Sequence, residues 1–206
     1  MSQYFVTANH TSSGKTIASA LLCRQLQAAY FKPVQAGDLD NTDSMTVKRL
    51  APNTFIYEEL FKLSLPISPH AAARHDGLSY SLSDFRLPVH EGPLVVEGAG
   101  GLLSPINQDH TCADLIAALG LPVILVINFY LGSINHTMLT IEVLQSLQLE
   151  VAGIIYNGSE PQSEEFIRGK LPFEVLGRLP TFDALTAQKL AETEVVFNLP
   201  GQHPPR

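Results

Sequence analysis

Short runs of apolar, β-prone residues recur along the chain and predict the strands of one sheet. The runs cover residues 4–6, 30–31, 94–96, 123–127 and 151–156, with a weaker one at 175–176. Several are continuous rather than alternating between apolar and polar side chains. Continuous runs are typical of strands that are covered on both faces, and such strands usually belong to parallel sheets. The pattern therefore predicts a mostly parallel sheet buried on both sides.

Segments with apolar side chains at helical spacing separate these runs. They lie at residues 17–29, 113–119, 137–147 and 164–170, and another helical segment opens near Asp43. Regular alternation of strand and helix is typical of right-handed crossovers. We therefore expect an α/β fold, doubly wound, with a mostly parallel sheet and helices on both faces. We expect residues 1–199 to form a single domain and the Pro-rich residues 200–206 to form a flexible tail.

The composition narrows the function classes without naming one. The chain has 206 residues, of which 45% are hydrophobic and 16% charged, as in ordinary soluble proteins. Its net charge is −7. A general nucleic-acid binder carries a basic surface, which this acidic composition does not favour. The two cysteines, Cys23 and Cys112, form no CxxC pair, and no apolar run approaches the roughly 20 residues of a membrane helix. With no secretion signal recognised, we expect a cytoplasmic protein without nucleic-acid or membrane partners.

A phosphate-binding loop of the P-loop NTPase type follows the first predicted strand. Lys15 would reach the β- and γ-phosphates of a nucleotide, and Thr16 would bind Mg²⁺. Backbone N–H groups at the start of the next helix complete an anion site. The alternative is a helix N-terminus that carries Lys and Thr by coincidence. The loop entry is unusual because Ala8 stands where Gly is common. Asn9 follows it and tolerates a left-handed backbone, so we expect an altered first turn.

Charged residues follow two further predicted strands. Lys32 comes directly after the second strand, where a buried amine needs an anion such as a phosphate, carboxylate or carbamate. The alternative is a side chain that reaches out to solvent. Glu97 ends the strand at 94–96 and precedes a Gly-rich turn, where P-loop enzymes hold Mg²⁺ or its water. Asp43 is either a helix cap, which its position alone favours, or a metal ligand.

Three later polar residues allow weaker predictions. Ser133 is expected to cap the helix after the strand at 123–127. His136 is expected to be a packed or surface residue rather than a catalytic one. Asn157 offers a donor and an acceptor that match the edge of adenine, although Asn-Gly is also a common turn.

Taken together, these motifs resemble those of the dethiobiotin synthetase family, in order, over residues 4–182. The matching segments are residues 4–7, 14–16, 32–34, 41–43, 66–70, 96–101, parts of 131–136, Asn157 and parts of 176–180. The resemblance implies carboxylation and ring closure of 7,8-diaminononanoate with CO₂, to give dethiobiotin in biotin synthesis. ATP would phosphorylate a carbamate of the diamine to a carbamic-phosphoric anhydride, and the second amine would close the ring. It also implies ATP and Mg²⁺ as cofactors and a homodimer.

The same resemblance implies a role for each matching residue. The metal ligands would be Thr16, Asp43 and Glu97, and the catalytic residues Thr11, Lys15 and Lys32. The substrate contacts would be Thr11, Lys32, Ala36, Gly132 and Asn135, the last of these reaching the substrate carboxylate from the partner subunit. The nucleotide contacts would be Ser12, Ser13, Gly14, Lys15, Thr16, Ile17, Asp43, Glu97, Gly98, Ala99, Gly100, Asn157, Gly158, Pro180, Thr181 and Phe182.

Departures from the family pattern leave two other readings open. Ser12 stands where an acidic residue is usual and Ala36 where a substrate-contacting Ser is frequent, so those contacts would be missing or left to the backbone. One alternative is a ParA- or MinD-like ATPase switch, although His10 occupies the position of that class's second Lys. The other is a non-catalytic, nucleotide-sensing domain, against which the retained Lys15 and Lys32 argue.

Overall fold

The computed structural model describes residues 2–182, 185–193 and 195–201. Eight strands run at Gln3–Ala8 (β1), Ala29–Phe31 (β2), Val34–Ala36 (β3), Phe61–Leu63 (β4), Leu94–Glu97 (β5), Val123–Asn128 (β6), Val151–Asn157 (β7) and Val175–Leu179 (β8). Seven α-helices lie at Lys15–Leu26 (α1), Asp43–Leu50 (α2), Pro69–His75 (α3), Cys112–Leu119 (α4), Ser133–Ser146 (α5), Pro161–Arg168 (α6) and Ala187–Glu192 (α7).

Six strands form the predicted parallel sheet, in the order β2-β5-β1-β6-β7-β8. Every pair in it is parallel, with β1 between β5 and β6. The strand order reverses on either side of β1, so a crevice opens beyond its carboxyl end. The small parallel pair β3-β4 forms a second sheet that the apolar pattern did not predict. Each of these strands has three residues with a polar one at its centre, Gln35 in β3 and Lys62 in β4, so neither forms a continuous apolar run.

Two apolar cores confirm that helices cover both faces of the sheet. Neighbouring residues of β1 alternate between them, because Phe5 belongs to one core and Val6 to the other. α1, α2 and α7 pack on the face of Val6, while α3, α4, α5 and α6 pack on the face of Phe5. The continuous apolar runs therefore have their physical reason in a sheet with no solvent face.

The predicted helix boundaries shift by a few residues. α1 ends at Leu26, because Gln27 takes a left-handed backbone and the chain enters β2 at Ala29. α5 and α6 each begin a few residues earlier than their apolar spacing indicates. Of the predicted tail, residues 202–206 lie outside the described residues. In the described part of the chain, no helix has the length and apolar character needed to cross a bilayer.

Candidate active site

The phosphate loop leaves the carboxyl end of β1 and contains two left-handed residues. Ser12 has φ 53° and Gly14 has φ 90°. A Cβ on Gly14 would lie 2.7 Å from Nδ2 of Asn157, so glycine is required where the loop passes the end of β7. The buried Ser13 hydroxyl donates to the loop's own backbone at 2.8 Å. α1 then begins at Lys15, and its free N–H groups make the loop suitable for an anion.

The side chain of Asn9 holds the start of the phosphate loop through hydrogen bonds to residues distant in the sequence. Its amide donates to the carbonyl of Asn128 at 3.2 Å and to the hydroxyl of Thr137 at 3.1 Å. Its oxygen accepts from the N–H of Asn128 at 3.2 Å. Asn9 does not adopt the left-handed backbone that its residue type tolerates, and the positive φ values of the loop fall on Ser12 and Gly14. Asn9 acts through its side chain, tying the end of β1 to β6 and α5.

Lys32 lies at the end of β2 and is held between two carboxylates. Its Nζ is 2.7 Å from Oδ2 of Asp43 and 3.4 Å from Oε1 of Glu97. It also donates to the carbonyl of Gly98 at 3.3 Å. Lys32 is only 3% exposed, so its amine points into the protein. This excludes the alternative in which the side chain reaches out to solvent. Lys32, Asp43 and Glu97 therefore form a charge cluster at the carboxyl ends of the strands.

Two hydroxyl groups complete this cluster. Thr16 Oγ1 lies 2.7 Å from Oδ1 of Asp43 and 3.0 Å from Oε1 of Glu97. A hydroxyl has a single proton, so it donates to one carboxylate at a time. Tyr30 Oη donates to the other oxygen of Glu97 at 2.9 Å. This role of Tyr30 was not predicted, because nothing in the local sequence shows that β2 and β5 are neighbours.

The cluster perturbs the protonation equilibria of its members. Burial by itself would lower the pKa of Lys32, but the charges of Glu97 and Asp43 outweigh it and raise the pKa. Burial would raise the pKa of Asp43, whereas Lys32 and the Thr16 hydroxyl hold it below its ordinary value. Burial lowers the pKa of Lys15, and the nearby Lys32 adds to that effect. Lys15 thus sits where a bound anion would stabilise its charged form.

The structure decides between the two interpretations of Asp43. The helix cap is Thr42, whose hydroxyl accepts from the N–H of Met45 at 3.2 Å. Asp43 is the first residue inside α2, and its carboxylate faces Lys32 and Thr16. Asp43 is therefore a member of the charge cluster rather than the cap of the helix.

A cavity of about 560 Å³ opens over this cluster at the carboxyl ends of β1, β2 and β5. Twelve of the predicted site residues line it, namely Thr11, Ser12, Ser13, Gly14, Lys15, Thr16, Lys32, Ala36, Asp43, Glu97, Ala99 and Gly100. Nine further lining residues were not predicted as site residues, and Gln35 and Asp38 are two of them. Gln35 Oε1 accepts from the N–H of Asp43 at 3.2 Å and so orients the start of α2. The sequence feature that could have indicated Gln35 is its position three residues after Lys32.

The other predicted site residues lie outside this cavity's lining. Asn157, at the end of β7, donates to the carbonyl of Ser13 at 3.0 Å, behind the loop. The predicted adenine stretch continues from β8, where Phe182 is partly buried against the core of Val6. The remaining members are Ile17, Gly98, Gly132, Asn135, Gly158, Pro180 and Thr181. Among these, Asn135 is an exposed residue of α5.

The start of α5 differs from the prediction. Gly132, with φ 98°, is the N-cap, and no side chain caps the helix. Ser133 is buried in the first turn instead, so its predicted capping role is wrong. His136 is exposed on α5, where its Nδ1 lies 2.6 Å from Oη of Tyr130 and its ring stacks on that of His10. This is the surface role predicted for His136.

The oxygens of the cluster suit a hard divalent cation. Oδ1 of Asp43 and Oε1 of Glu97 both lie within hydrogen-bond distance of Oγ1 of Thr16, at 2.7 Å and 3.0 Å. Mg²⁺ takes few protein oxygens and completes its shell with water and phosphate. Within the described ranges, no group of three or more His, Cys, Asp or Glu side chains is placed to hold a metal ion. The threonine hydroxyl and the two carboxylates are a donor set that fits Mg²⁺.

Comparison with known proteins places the chain among characterised relatives. A family model described as "AAA domain" matches residues 2–189. An "ATP-dependent dethiobiotin synthetase" of Christiangramia forsetii is 44% identical over 195 residues, covering 92% of this chain and 94% of the relative. A protein of the same name from Cytophaga hutchinsonii is 48% identical over 168 residues, or 80% of each chain. Another, from Brucella ovis, is 42% identical over 192 residues, covering 92% of this chain and 91% of the relative.

Solved structures give a weaker likeness. A chain of the MinC:MinD cell division protein complex of Aquifex aeolicus aligns with a TM-score of 0.49 at 14% identity, covering 89% of this chain and 82% of its own. A likeness at that level does not bear on function. The three sequence relatives share one name and align along most of their own lengths. The chain therefore belongs to the dethiobiotin synthetase family.

Proposed function

We propose that this protein is an ATP- and Mg²⁺-dependent ligase that converts 7,8-diaminononanoate and CO₂ into dethiobiotin. The observation that carries the proposal is the pair of buried amines, Lys15 and Lys32, in one cavity with Thr16, Asp43 and Glu97. The activity is that for which the relatives are named, and the family resemblance supplies the substrates. The charge arrangement supports both.

The reaction requires two anions to meet. One amine of the substrate takes up CO₂, loses a proton and becomes a carbamate, and a carbamate oxygen then attacks the γ-phosphorus of ATP and displaces ADP. Positive groups must offset the repulsion between carbamate and triphosphate in the transition state. Lys15, at the loop, would face the phosphates, and Lys32, at the end of β2, would face the carbamate. The second amine, once it has lost its ammonium proton, attacks the carbamoyl carbon, expels phosphate and releases a further proton, which closes the cyclic urea.

Thr16, Asp43 and Glu97 are the residues that would hold Mg²⁺. When bound, the ion supplies charge that offsets the phosphate oxygens. Lys32 touches the two carboxylates in the ligand-free arrangement. Thr11, in the same cavity lining, would bind the carbamate beside it.

The adenine site is proposed at the carboxyl ends of β7 and β8. Asn157 is in contact with the loop through Ser13, so a base beside it would adjoin the phosphates. Gly158 follows with a left-handed backbone, and Pro180, Thr181 and Phe182 continue from the neighbouring strand. These residues are the proposed walls of the pocket.

A homodimer is proposed for the active form. Gly132 and Asn135, which the resemblance assigns to the substrate, are exposed and do not line the cavity. Leu131, beside them, is fully exposed, and Leu139 on the same helix is 57% exposed. Exposed apolar residues at a functional segment support an interface with a second copy. The free, buried thiols of Cys23 and Cys112 support the cytoplasm as the compartment.

The proposal is tested by product formation. Purified protein is incubated with ATP, Mg²⁺, bicarbonate and the diamine, and dethiobiotin is measured by mass spectrometry beside phosphate release. We expect one phosphate per ureido product. Lys15→Gln should lower kcat by about 10² to 10³-fold, because it removes a cation from the transferring phosphoryl group. Binding of ATP without any ureido product would reject the enzyme and leave a nucleotide-sensing protein.

A further inference from the structure

Three carboxylates line the reaction cavity, and two of them are already engaged. Asp43 and Glu97 are bound by Lys32 and Thr16. The third is Asp38, on the loop that follows β3. Within the described ranges, its carboxylate has no hydrogen bond and no ion pair. Asp38 is therefore the acidic side chain of the cavity that remains available to a ligand.

The backbone around Asp38 is fixed in an uncommon conformation. Asp38 has φ 51° and Gly37 has φ 70°, so two successive residues are left-handed. A Cβ on Gly37 would overlap Pro66, which packs the turn against the segment before α3. The carbonyl of Asp38 accepts from the N–H of Asn41 at 2.9 Å. A non-glycine residue held in this region is often found at a functional site.

The proposed substrate carries ammonium groups, which are suitable partners for the Asp38 carboxylate. A diamine carries ammonium groups at neutral pH, and Lys15 and Lys32 would repel them. The phosphate loop offers no counter-charge, because residues 11–16 contain no carboxylate. While one amine is a carbamate held near Lys32, the second amine waits for ring closure. It needs an anion on the cavity wall that is not bound to a lysine.

We propose that Asp38 binds the waiting ammonium group of the diamine and so sets the preference for a diamine over a monoamine. This inference rests on the proposed function and adds to it a specificity-determining residue. Asp38 is exposed at the rim of the cavity, so solvent screens the pair and the contribution is moderate. It acts on substrate binding and leaves phosphoryl transfer to Lys15, Lys32 and the metal ligands.

The test compares Asp38→Asn with Asp40→Asn. Asparagine keeps the shape of the side chain and tolerates the left-handed backbone, so the turn should survive. Asp40 is exposed, two residues away, and absent from the cavity lining, so its variant matches the change in net charge. Binding of the diamine, and of an analogue that lacks one amine, is measured by calorimetry with a non-hydrolysable ATP analogue and Mg²⁺. KM and kcat for the diamine and for ATP are measured in parallel.

We expect Asp38→Asn to weaken diamine binding and raise its KM by roughly 5- to 10-fold, the range for a screened charged hydrogen bond. The KM for ATP should not change, and affinity for the monoamine should fall much less. Asp40→Asn should behave as the unaltered protein. Equal diamine affinity in Asp38→Asn and the unaltered protein, or equal losses in both variants, would overturn the role of Asp38. Absent turnover in the unaltered protein, with Asp38-dependent diamine binding, would reject the ligase and keep the Asp38 contact.

Discussion

Lys32 illustrates at the scale of one residue how this chain places a charge in its interior. A buried amine is costly unless opposite charges and hydrogen bonds replace its water. Asp43 and Glu97 provide the charges, and the carbonyl of Gly98 provides a further acceptor. The same contacts raise the pKa of Lys32 against the effect of burial, so the amine is charged at neutral pH.

Replacing Lys32 with Met should destabilise the ligand-free protein. The change removes the cation from the partly exposed carboxylate of Asp43 and from the buried carboxylate of Glu97. Leaving a buried charge without its partner costs about 3–5 kcal/mol. Urea unfolding at neutral pH measures the free energy of unfolding. Dethiobiotin formation should also fall, because the variant lacks a cation for the carbamate.

Lys62→Met is the matched control for this variant. Lys62 is an exposed lysine paired with Glu58 at 3.0 Å on the surface, where water screens the pair. We expect no measurable change in unfolding or turnover. A Lys32→Met variant as stable as this control would show that the cluster around Asp43 does not depend on its cation.

At the scale of an element, α4 shows how a helix start supports the site. Asp114 accepts from the N–H and the hydroxyl of Thr111, both at 2.7 Å, which satisfies the first turn. Cys112, the first residue of the helix, lies under the turn after Glu97, because a Cβ on Gly98 would come within 2.9 Å of its sulfur. The hydrogen bonds between Thr111 and Asp114 thus hold Cys112 in place beneath the turn that follows Glu97.

Asp114→Ala should lower the free energy of unfolding by about 1 kcal/mol at pH 7, as the loss of a helix cap does. The hydrogen bond from the Thr111 N–H holds the pKa of Asp114 below its ordinary value, against the smaller effect of burial. The carboxylate therefore contributes fully above its unfolded pKa of about 3.9, and the contribution is lost as pH falls through the folded value.

Denaturant unfolding of Asp114→Ala and of the unaltered protein, between pH 7 and about pH 2.5, measures how the contribution of this carboxylate depends on pH. The stability difference should shrink as the solution becomes acidic. Glu142→Ala, on the exposed face of α5, serves as the control and should change little at any pH. A difference between Asp114→Ala and the unaltered protein that stays constant with pH would contradict the role of the ionised carboxylate.

At the scale of the whole molecule, the last described segment is fastened to the first helix. Gln25 of α1 bonds both backbone groups of Phe197, each at 2.8 Å. The ring of Phe197 is 1% exposed in the core on the face of Val6, and Asn198 donates to the carbonyl of Leu176 at 2.9 Å. Residues far apart in sequence thus close the core beneath the phosphate loop's helix.

Phe197→Ala should lower the free energy of unfolding by about 3–5 kcal/mol, because it removes a buried ring and leaves a cavity. Thermal and urea unfolding measure the loss. Phe166→Ala removes the same ring from a site that is 51% exposed and should cost much less. Equal losses in the two variants would mean that Phe197 does not anchor the C-terminal segment.

The local sequence was sufficient for the sheet and for most of the site. Apolar runs locate strands because a strand in this sheet is buried on both faces and must be apolar throughout. The ends of those runs then locate Lys32 and Glu97, since a polar residue after such a run marks the carboxyl edge of the sheet. The Gly-Lys-Thr motif locates Lys15. β3 and β4 could not be predicted, because the central residues Gln35 and Lys62 interrupt their apolar runs.

The sequence by itself determined which residues stand at strand ends, since burial imposes a pattern that neighbours in the chain display. Only the tertiary structure decided which of those ends meet. Strand order brings Tyr30 to Glu97, and the direction of α2 turns Asp43 towards Lys32 while Thr42 takes the cap. It also leaves Asp38 as the carboxylate of the cavity without a described side-chain partner. Pairing depends on distance in space, and separation along the chain does not encode it.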